Sequence, residues 1–241
     1  MSKGFDVEKL KEIKDKKTAD LMVTSKNQSF IIEIKSRRED PGRIETERKA
    51  LEQGQIVERS ETTTRTNTIS GIVQEGVDQL SRYPQRANQY RLLWLHAEGH
   101  DVELQKDQIK GTLYGTSDIF DLSGTTGNKE CLYFYYNDFY RFSDLLDAAI
   151  IGTYQDAQLC LNTFSPKIDE FRKSTLAKAF VQGTYDPEVH ENSGNIYVAD
   201  CDYNRKEERL ILNYIKNKYS NDRLICIHMK NHKAFMQIPK P

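Results

Sequence analysis

Two short apolar runs near the start of the chain predict a β-hairpin. Residues 21–23 and 30–34 are mainly aliphatic or aromatic, and the polar segment 25–29 between them is typical of a turn. With Lys26 and Asn27 at the tip, the two runs pair as antiparallel strands in a defined register.

That register gives the hairpin one polar face and one apolar face. It places Asp20 opposite Glu33 and, further along, Met22 opposite Ile31. Because side chains alternate between the faces of a strand, Lys35 lies on the same face as the two carboxylates. The other face is an ordinary core face, formed by Leu21, Val23, Phe30, Ile32 and Ile34.

The opposed carboxylates of Asp20 and Glu33 require a positive charge between or beside them. Directly opposed residues have Cβ atoms about 5 Å apart, and like charges at that distance are destabilising. A divalent cation fits, because carboxylates, a backbone carbonyl and retained waters are typical Mg²⁺ ligands. Alternatively, Lys35 neutralises Glu33 in a partly exposed strand pair, and the spacing alone leaves both readings open.

These residues resemble the signature of the PD-(D/E)XK nuclease superfamily, an Asp, a turn, an apolar run and then Glu-X-Lys. Here the signature is Asp20 followed by Glu33, Ile34 and Lys35. Downstream, a helix predicted over residues 69–83 carries Gln79 and Tyr83, similar to the Gln-X-X-X-Tyr helix of one branch of that superfamily. Without the Glu-X-Lys motif, the same two residues would be read as a helix-end glutamine and a packing tyrosine.

The resemblance implies a restriction-endonuclease-like α/β fold, a mixed sheet flanked by helices, over residues 1–100. A helix predicted over residues 6–14, the hairpin, the helix 69–83 and a buried strand over residues 90–97 follow one another in the order that this core requires. The family often takes a further metal ligand from its first helix, for which Glu8 and Glu12 are the candidates. The family's usual strand between that helix and Asp20 has no room here.

A charged insertion, residues 37–68, separates the hairpin from the helix 69–83, with a helix predicted over residues 44–57. Its basic residues either follow a DNA backbone, since such contacts supply most sequence-independent affinity, or form ion pairs within a solvated helix. The DNA-binding candidates are Arg37, Arg38, Arg43, Arg48 and Lys49.

Residues 101–241 are predicted to form an α/β C-terminal extension that either stands apart or packs on the same sheet. Strands are predicted over residues 111–122 and 130–142, and helices over residues 144–151 and 165–180. A strand, helix and strand follow over residues 194–229, and a last short strand lies over residues 233–238. The aromatic segment 131–142 either stacks on bases or packs in a sheet. Asp200 and Asp202 are read as a strand-end turn.

Composition limits the class of protein. A chain of 241 residues with 37% hydrophobic and 29% charged residues is typical of a globular protein, and its net charge of −1 gives no general attraction to nucleic acid. No apolar stretch approaches the length of a membrane span and no signal peptide opens the chain, so we expect a cytoplasmic protein. The four scattered cysteines are expected to be free thiols. No phosphate-binding glycine loop is present, so any ATPase or helicase activity would belong to a separate subunit.

The sequence therefore predicts a Mg²⁺- or Mn²⁺-dependent deoxyribonuclease, an endonuclease rather than an exonuclease, acting in restriction, antiviral defence or repair. By resemblance, Asp20, Glu33 and the Ile34 carbonyl hold the metal, Lys35 orients or deprotonates the attacking water, and Gln79 and Tyr83 position the nucleotide or the water. A homodimer is plausible, because many relatives cut two strands with two paired sites. The alternative is an inactive nuclease-fold module that binds DNA or a protein in a larger assembly.

Overall fold

The computed structural model describes residues 4–11, 18–37, 40–84, 86–99, 101–124, 127–227 and 232–239. The strands are β1 Asp6–Lys9, β2 Leu21–Ser25, β3 Gln28–Arg37, β4 Val57–Thr62, β5 Gln89–Ala97, β6 Ser117–Asp121, β7 Asn128–Leu132, β8 Ala148–Gly152, β9 Ala157–Leu161, β10 Thr184–Tyr185, β11 Tyr197–Val198, β12 Leu224–Cys226 and β13 His232–Gln237. The helices are α1 Pro41–Glu52, α2 Asn67–Leu80, α3 Val102–Tyr114, α4 Asp138–Arg141, α5 Ile168–Arg172, α6 Thr175–Ala179, α7 Pro187–Asn192 and α8 Glu208–Lys218.

A seven-stranded mixed sheet flanked by helices organises the fold, which confirms the predicted α/β class. Its strand order is β1-β2-β3-β5-β8-β9-β10. The strands β3, β5 and β8 run parallel at its centre, whereas β1 to β3 form an antiparallel meander at one side. A four-stranded sheet, β11-β7-β6-β12, and the pair β13-β4 complete the described strands.

The predicted hairpin and its register are confirmed. Met22 pairs with Ile31, and Ser25 pairs with Gln28, so Lys26 and Asn27 form the two-residue tip. Lys26 adopts φ +55°, the left-handed conformation that such a short turn requires.

A helical crossover connects the parallel strands β3 and β5. Thr66 caps α2 by accepting a hydrogen bond from the Ile69 N–H at 3.3 Å, and the apolar stripe of α2 is buried against the sheet. At Gly76 the helix lies so close to the sheet that an added Cβ would be 2.5 Å from Leu93 Cδ2. Glycine at this position therefore sets how closely α2 approaches β3 and β5.

The seven-stranded sheet has an apolar core on each face. One core includes Ile31, Leu93 and Leu95 with the buried residues of α2 and α3, and it continues into the four-stranded sheet. The other includes Phe30, Ile32 and Leu92 and is covered by α5 and α6. Because β8, β9 and β10 join the same sheet as β1, β2, β3 and β5, the chain on both sides of residue 100 shares these cores.

Several predicted elements are wrong, all at short or weakly periodic segments. The helix predicted over residues 6–14 is contradicted at residues 6–9, which form β1 and pair with the edge of β2, whereas residues 12–14 lie outside the described residues. The helix predicted over residues 144–151 is replaced by β8, which is buried on both faces between β5 and β9. Paired strands satisfy the backbone groups of such segments, and this gain outweighs their local helical spacing.

Other predictions are partly right. The strand predicted over residues 111–122 begins inside α3, which ends at Tyr114, and only residues 117–121 form a strand. The strand predicted over 130–142 ends at Leu132 and is followed by α4. The helix predicted over 44–57 spans Pro41–Glu52, and the helix predicted over 165–180 is split into α5 and α6.

The strand over residues 90–97 and the strand, helix and strand β11, α8 and β12 are confirmed. The last predicted strand is β13, which pairs with β4 of the insertion. Within the part of the chain that the structure describes, no helix is long and apolar enough to cross a membrane.

Candidate functional site

The hairpin brings Asp20 and Glu33 together at the end of β2. The ladder of β2 and β3 ends with the pair Leu21 and Ile32, and Asp20, which directly precedes it, donates its N–H to the Ile32 carbonyl at 3.1 Å. The Asp20 carboxylate accepts a hydrogen bond from the Ile34 N–H at 2.8 Å. In a strand the N–H and C=O of one residue point to the same edge, so the Ile34 carbonyl also points toward Asp20. Asp20 also affects the titration of Glu33, so the two carboxylates lie close together as predicted, although the strand ladder ends one residue after Asp20.

Glu33 is the buried member of the pair. It is 2% exposed, whereas Asp20 is half-buried. Burial raises the pKa of the Glu33 carboxyl from 4.5 to about 7, the hydrogen bond from Lys35 opposes this rise, and the charge of Asp20 adds to it. At neutral pH the cluster consequently carries a poorly compensated negative charge, which an added cation would relieve.

The ammonium group of Lys35 lies between two carboxylates. Its Nζ is 3.1 Å from Glu33 Oε1 and 3.1 Å from Oε1 of Glu75, one turn before Gln79 on α2. Motif reasoning did not identify Glu75, although its position four residues before Gln79 places both residues on one helical face. The side chain of Glu75 is 53% exposed, so this side of the cluster faces solvent.

Gln79 completes the cluster from α2. With the amide nitrogen facing the hairpin, it donates to Glu33 Oε2 at 3.1 Å, and the amide oxygen accepts from Lys35 Nζ at 2.7 Å. The opposite amide orientation would place a nitrogen donor against the ammonium group, so the hydrogen-bond network selects the first. Gln79 thus contacts Glu33 and Lys35, the motif residues beside which the sequence predicted it to lie.

Tyr83 lies beyond the end of the helix that carries Gln79. Helix α2 ends at Leu80, and Tyr83 lies in the following turn, where its N–H donates to the Leu80 carbonyl at 3.1 Å. The Tyr83 carbonyl accepts from Arg91 Nη2 at 2.6 Å, and the ring packs against the core. The helix predicted over residues 69–83 is therefore too long at its C-terminal end, and a role for Tyr83 beside Gln79 stays a prediction.

Of the two glutamates predicted as additional metal ligands, the structure describes Glu8. Glu8 is exposed on β1 and pairs with Met22, which places it on the sheet face that carries Asp20, but on a strand rather than on the predicted helix. Glu12 lies outside the described residues.

The basic residues of the insertion that the structure describes are held by internal partners. On α1, Arg48 Nη2 lies 2.7 Å from Glu45 Oε1, and Lys49 Nζ lies 3.5 Å from the same atom. Arg43 Nη1 lies 2.6 Å from Glu61 Oε1 of β4. Of the two alternatives for the insertion, the structure therefore shows the helix with internal ion pairs. Arg37 donates to the Gln108 side chain, and Arg38 lies outside the described residues.

The remaining candidate ligands do not form a metal centre. Among the described residues, no group of three or more His, Cys, Asp or Glu side chains is arranged to hold a metal ion. Asp200 accepts hydrogen bonds from Tyr214 and Lys218, both at 2.7 Å, which is a structural role. The cysteines are free, as predicted, and burial raises the pKa of the Cys160 thiol to about 12.

The chain defines a mixed α/β protein with a carboxylate, lysine and glutamine cluster at one end of its central hairpin. Comparison with protein-family models, with curated proteins and with solved structures finds no match for it.

Proposed function

We propose that the protein is a metal-dependent deoxyribonuclease with a restriction-endonuclease-like core. The observation that carries the proposal is the cluster itself, in which Asp20 and Glu33 meet on a hairpin and α2 adds Gln79 to Lys35. The order of hairpin, crossover helix and parallel strand, β2-β3-α2-β5, supports the same assignment. Among the described residues, the first core element is the strand β1 instead of a helix.

The donor set at the hairpin fits Mg²⁺ or Mn²⁺. Mg²⁺ is commonly held by one or two carboxylates while it keeps several waters and substrate phosphate oxygens, so a cluster of three acidic side chains is not required. Asp20 and Glu33 would hold the ion, with the Ile34 carbonyl as a further oxygen donor. The raised pKa of Glu33 supports this fit, because burial and the Asp20 charge leave the carboxylate in need of a cation.

The other residues of the cluster would each have a role in phosphodiester cleavage. The chemistry supplied by a bound divalent cation is polarisation of the scissile phosphate and activation of a water. Lys35 would donate to a phosphate oxygen and stabilise the negative charge that develops during attack. Gln79 would keep Glu33 and Lys35 in position through its amide, and Glu75 would hold Lys35 from the solvent side.

A second function is favoured by the burial of Glu33 and by the ion-paired insertion. A carboxylate that is 2% exposed and covered by Lys35 and Gln79 has little contact with solvent, which is also what an inactive nuclease-fold module would show. Such a module would bind DNA or a protein partner without cleaving it. Retained DNA binding without cleavage is the result that would favour this reading.

Cleavage of plasmid and linear DNA by the purified chain tests the proposal. We expect cleavage with Mg²⁺ or Mn²⁺, none with a chelator, and loss of cleavage in Asp20→Asn and Glu33→Gln. Asp78→Asn is the matched control, because Asp78 is exposed on α2 and accepts a hydrogen bond from Gln74 at 2.7 Å, away from the cluster. Wild-type cleavage in both carboxylate variants would refute the nuclease assignment.

A further inference from the structure

A cavity lies beyond Lys35 on the same face of the sheet. Arg37, two residues further along β3, lines it, and the volume is about 320 Å³. The cavity sits where the parallel strands β3 and β5 end and where α3 begins at Asp101. In open α/β sheets, ligands bind in the crevice at the carboxyl ends of the strands. Position alone thus makes the cavity a candidate ligand site.

Three guanidinium groups line the cavity, from β3, α1 and β4. Arg59 is held by Glu47, with Nη2 3.0 Å from Oε2, and its side chain is only 12% exposed. Arg43 is held by Glu61, and its buried Nε makes no hydrogen bond to any described residue, although Glu47 Oε1 lies 3.9 Å from it as an ion-pair partner. Buried polar atoms of this kind normally have a partner, so the arrangement accommodates a further acceptor.

The acidic residues of the lining are committed to other groups. The Asp40 carboxylate accepts from the Gly42 N–H at 2.9 Å and caps α1. The Asp101 carboxylate accepts from the Leu104 N–H at 2.7 Å and caps α3. Glu61 is paired with Arg43. The lining holds three arginines and three carboxylates, so an anion would be bound by directed arginine N–H groups and not by a net positive charge.

An apolar surface lines the same cavity beside the arginines. Leu104 comes from α3, whereas Phe235 and Met236 come from β13, which reaches the insertion by pairing with β4. Apolar side chains, including an aromatic ring, next to guanidinium donors match a ligand with a planar ring and a phosphate. The volume is also in the range of small-molecule sites.

We infer that the cavity binds a nucleotide, with its phosphate on the arginines and its base against Phe235 and Leu104. The role of this nucleotide rests on the proposed nuclease function. In the DNA substrate it would be the nucleotide next to the scissile phosphate. Two residues along a strand span about 7 Å, so one DNA strand can contact both Lys35 and Arg37. Arg48 and Lys49, which are not part of the cavity lining, have no role in this site.

Calorimetric titration of the full chain with thymidine 5′-monophosphate, inorganic phosphate and thymidine tests the inference. We expect saturable binding of the nucleotide, weakened about 10-fold or more in Arg37→Ala, because a charge-assisted hydrogen bond is lost. Phe235→Ala should weaken the nucleotide and leave phosphate binding unchanged. Arg209→Ala, which removes an exposed arginine on α8, is the control and should match wild type.

The outcomes separate this inference from the proposed function. Metal-dependent cleavage without saturable nucleotide binding would overturn the cavity assignment and leave the nuclease intact. Nucleotide binding that depends on Arg37 and Phe235, without cleavage, would support the cavity and refute the nuclease. Equal binding of phosphate and nucleotide, insensitive to Phe235→Ala, would reduce the site to an anion site and overturn the inference. Each variant is tested only after its melting curve shows a folded protein, and Arg59→Gln provides a second arginine variant if Arg37→Ala does not fold.

Discussion

Replacing Glu33 with glutamine should change how the stability of the metal-free protein depends on pH. Glutamine has nearly the same shape as glutamate and carries no charge at any pH. In the folded protein, burial and the Asp20 charge raise the pKa of Glu33 from 4.5 to about 7. The folded state therefore binds a proton at Glu33 more tightly than the unfolded state does.

The size and sign of the effect follow from this difference. Below about pH 4.5 Glu33 is protonated in both states and contributes no pH dependence. Between about pH 4.5 and 7, unfolding releases the proton, so the free energy of unfolding falls as pH rises and levels off above pH 7. Each pKa unit corresponds to about 1.4 kcal/mol, so the penalty reaches about 3 kcal/mol at pH 8.

Urea denaturation of wild type and Glu33→Gln in the presence of a chelator, from pH 4 to pH 8, measures this penalty. Other titrating groups are common to both proteins and cancel in the difference between their free energies of unfolding. We expect that difference to shift by about 3 kcal/mol in favour of Glu33→Gln as pH rises. A difference that stays constant with pH would show that Glu33 is not the destabilised carboxylate.

Adding Mg²⁺ extends the same experiment. At pH 8, Mg²⁺ at a hundredfold excess over its dissociation constant should stabilise wild type by about 2.7 kcal/mol. Glu33→Gln should lose this gain, because one of the two carboxylates is missing. An equal gain in both proteins would place the metal elsewhere.

Three further substitutions probe the rest of the cluster. Gln79→Ala should lower cleavage by a factor on the order of 10 to 1000 in a protein that still folds, measured by initial rates and a melting curve, because the amide that positions Lys35 and Glu33 is lost; wild-type rates would contradict this role. Lys35→Ala should lower cleavage while Mg²⁺ binding, followed by calorimetry, persists or tightens, since a cation beside the site is removed; weaker metal binding would argue against the assignment. Gly76→Val should destabilise the protein by about 1–3 kcal/mol in urea denaturation, because the added side chain overlaps Leu93; an unchanged midpoint would show that α2 can move away at no cost.

The sequence alone determined the hairpin and the pairing of its two carboxylates. Both follow from local information, namely alternation along two apolar runs and a polar turn of defined length. A register shift of one residue would expose the whole apolar face, so the pattern has one stable solution. The core of α2 and the strand β5 were predictable for the same reason, since their apolar periodicity is long enough to be unambiguous.

Tertiary structure decided which short segments became strands. Residues 6–9 and 148–152 are too short for their apolar pattern to distinguish a helix from a strand, and their conformation depends on the free edges of β2 and β5. Those edges are formed by distant parts of the chain. The pairing of β13 with β4 is the extreme case, because the two strands are separated by most of the chain.

The sequence motif likewise predicted only some of the residues that form the site. Asp20, Glu33 and Lys35 lie on one hairpin, so their proximity is a local property. Gln79 reaches them only because Gly76 lets α2 approach β3, and Glu75 joins them for the same reason. Sequence spacing specifies which residues share a helical face, but the distance and rotation of that helix relative to the sheet are set by how the whole core packs.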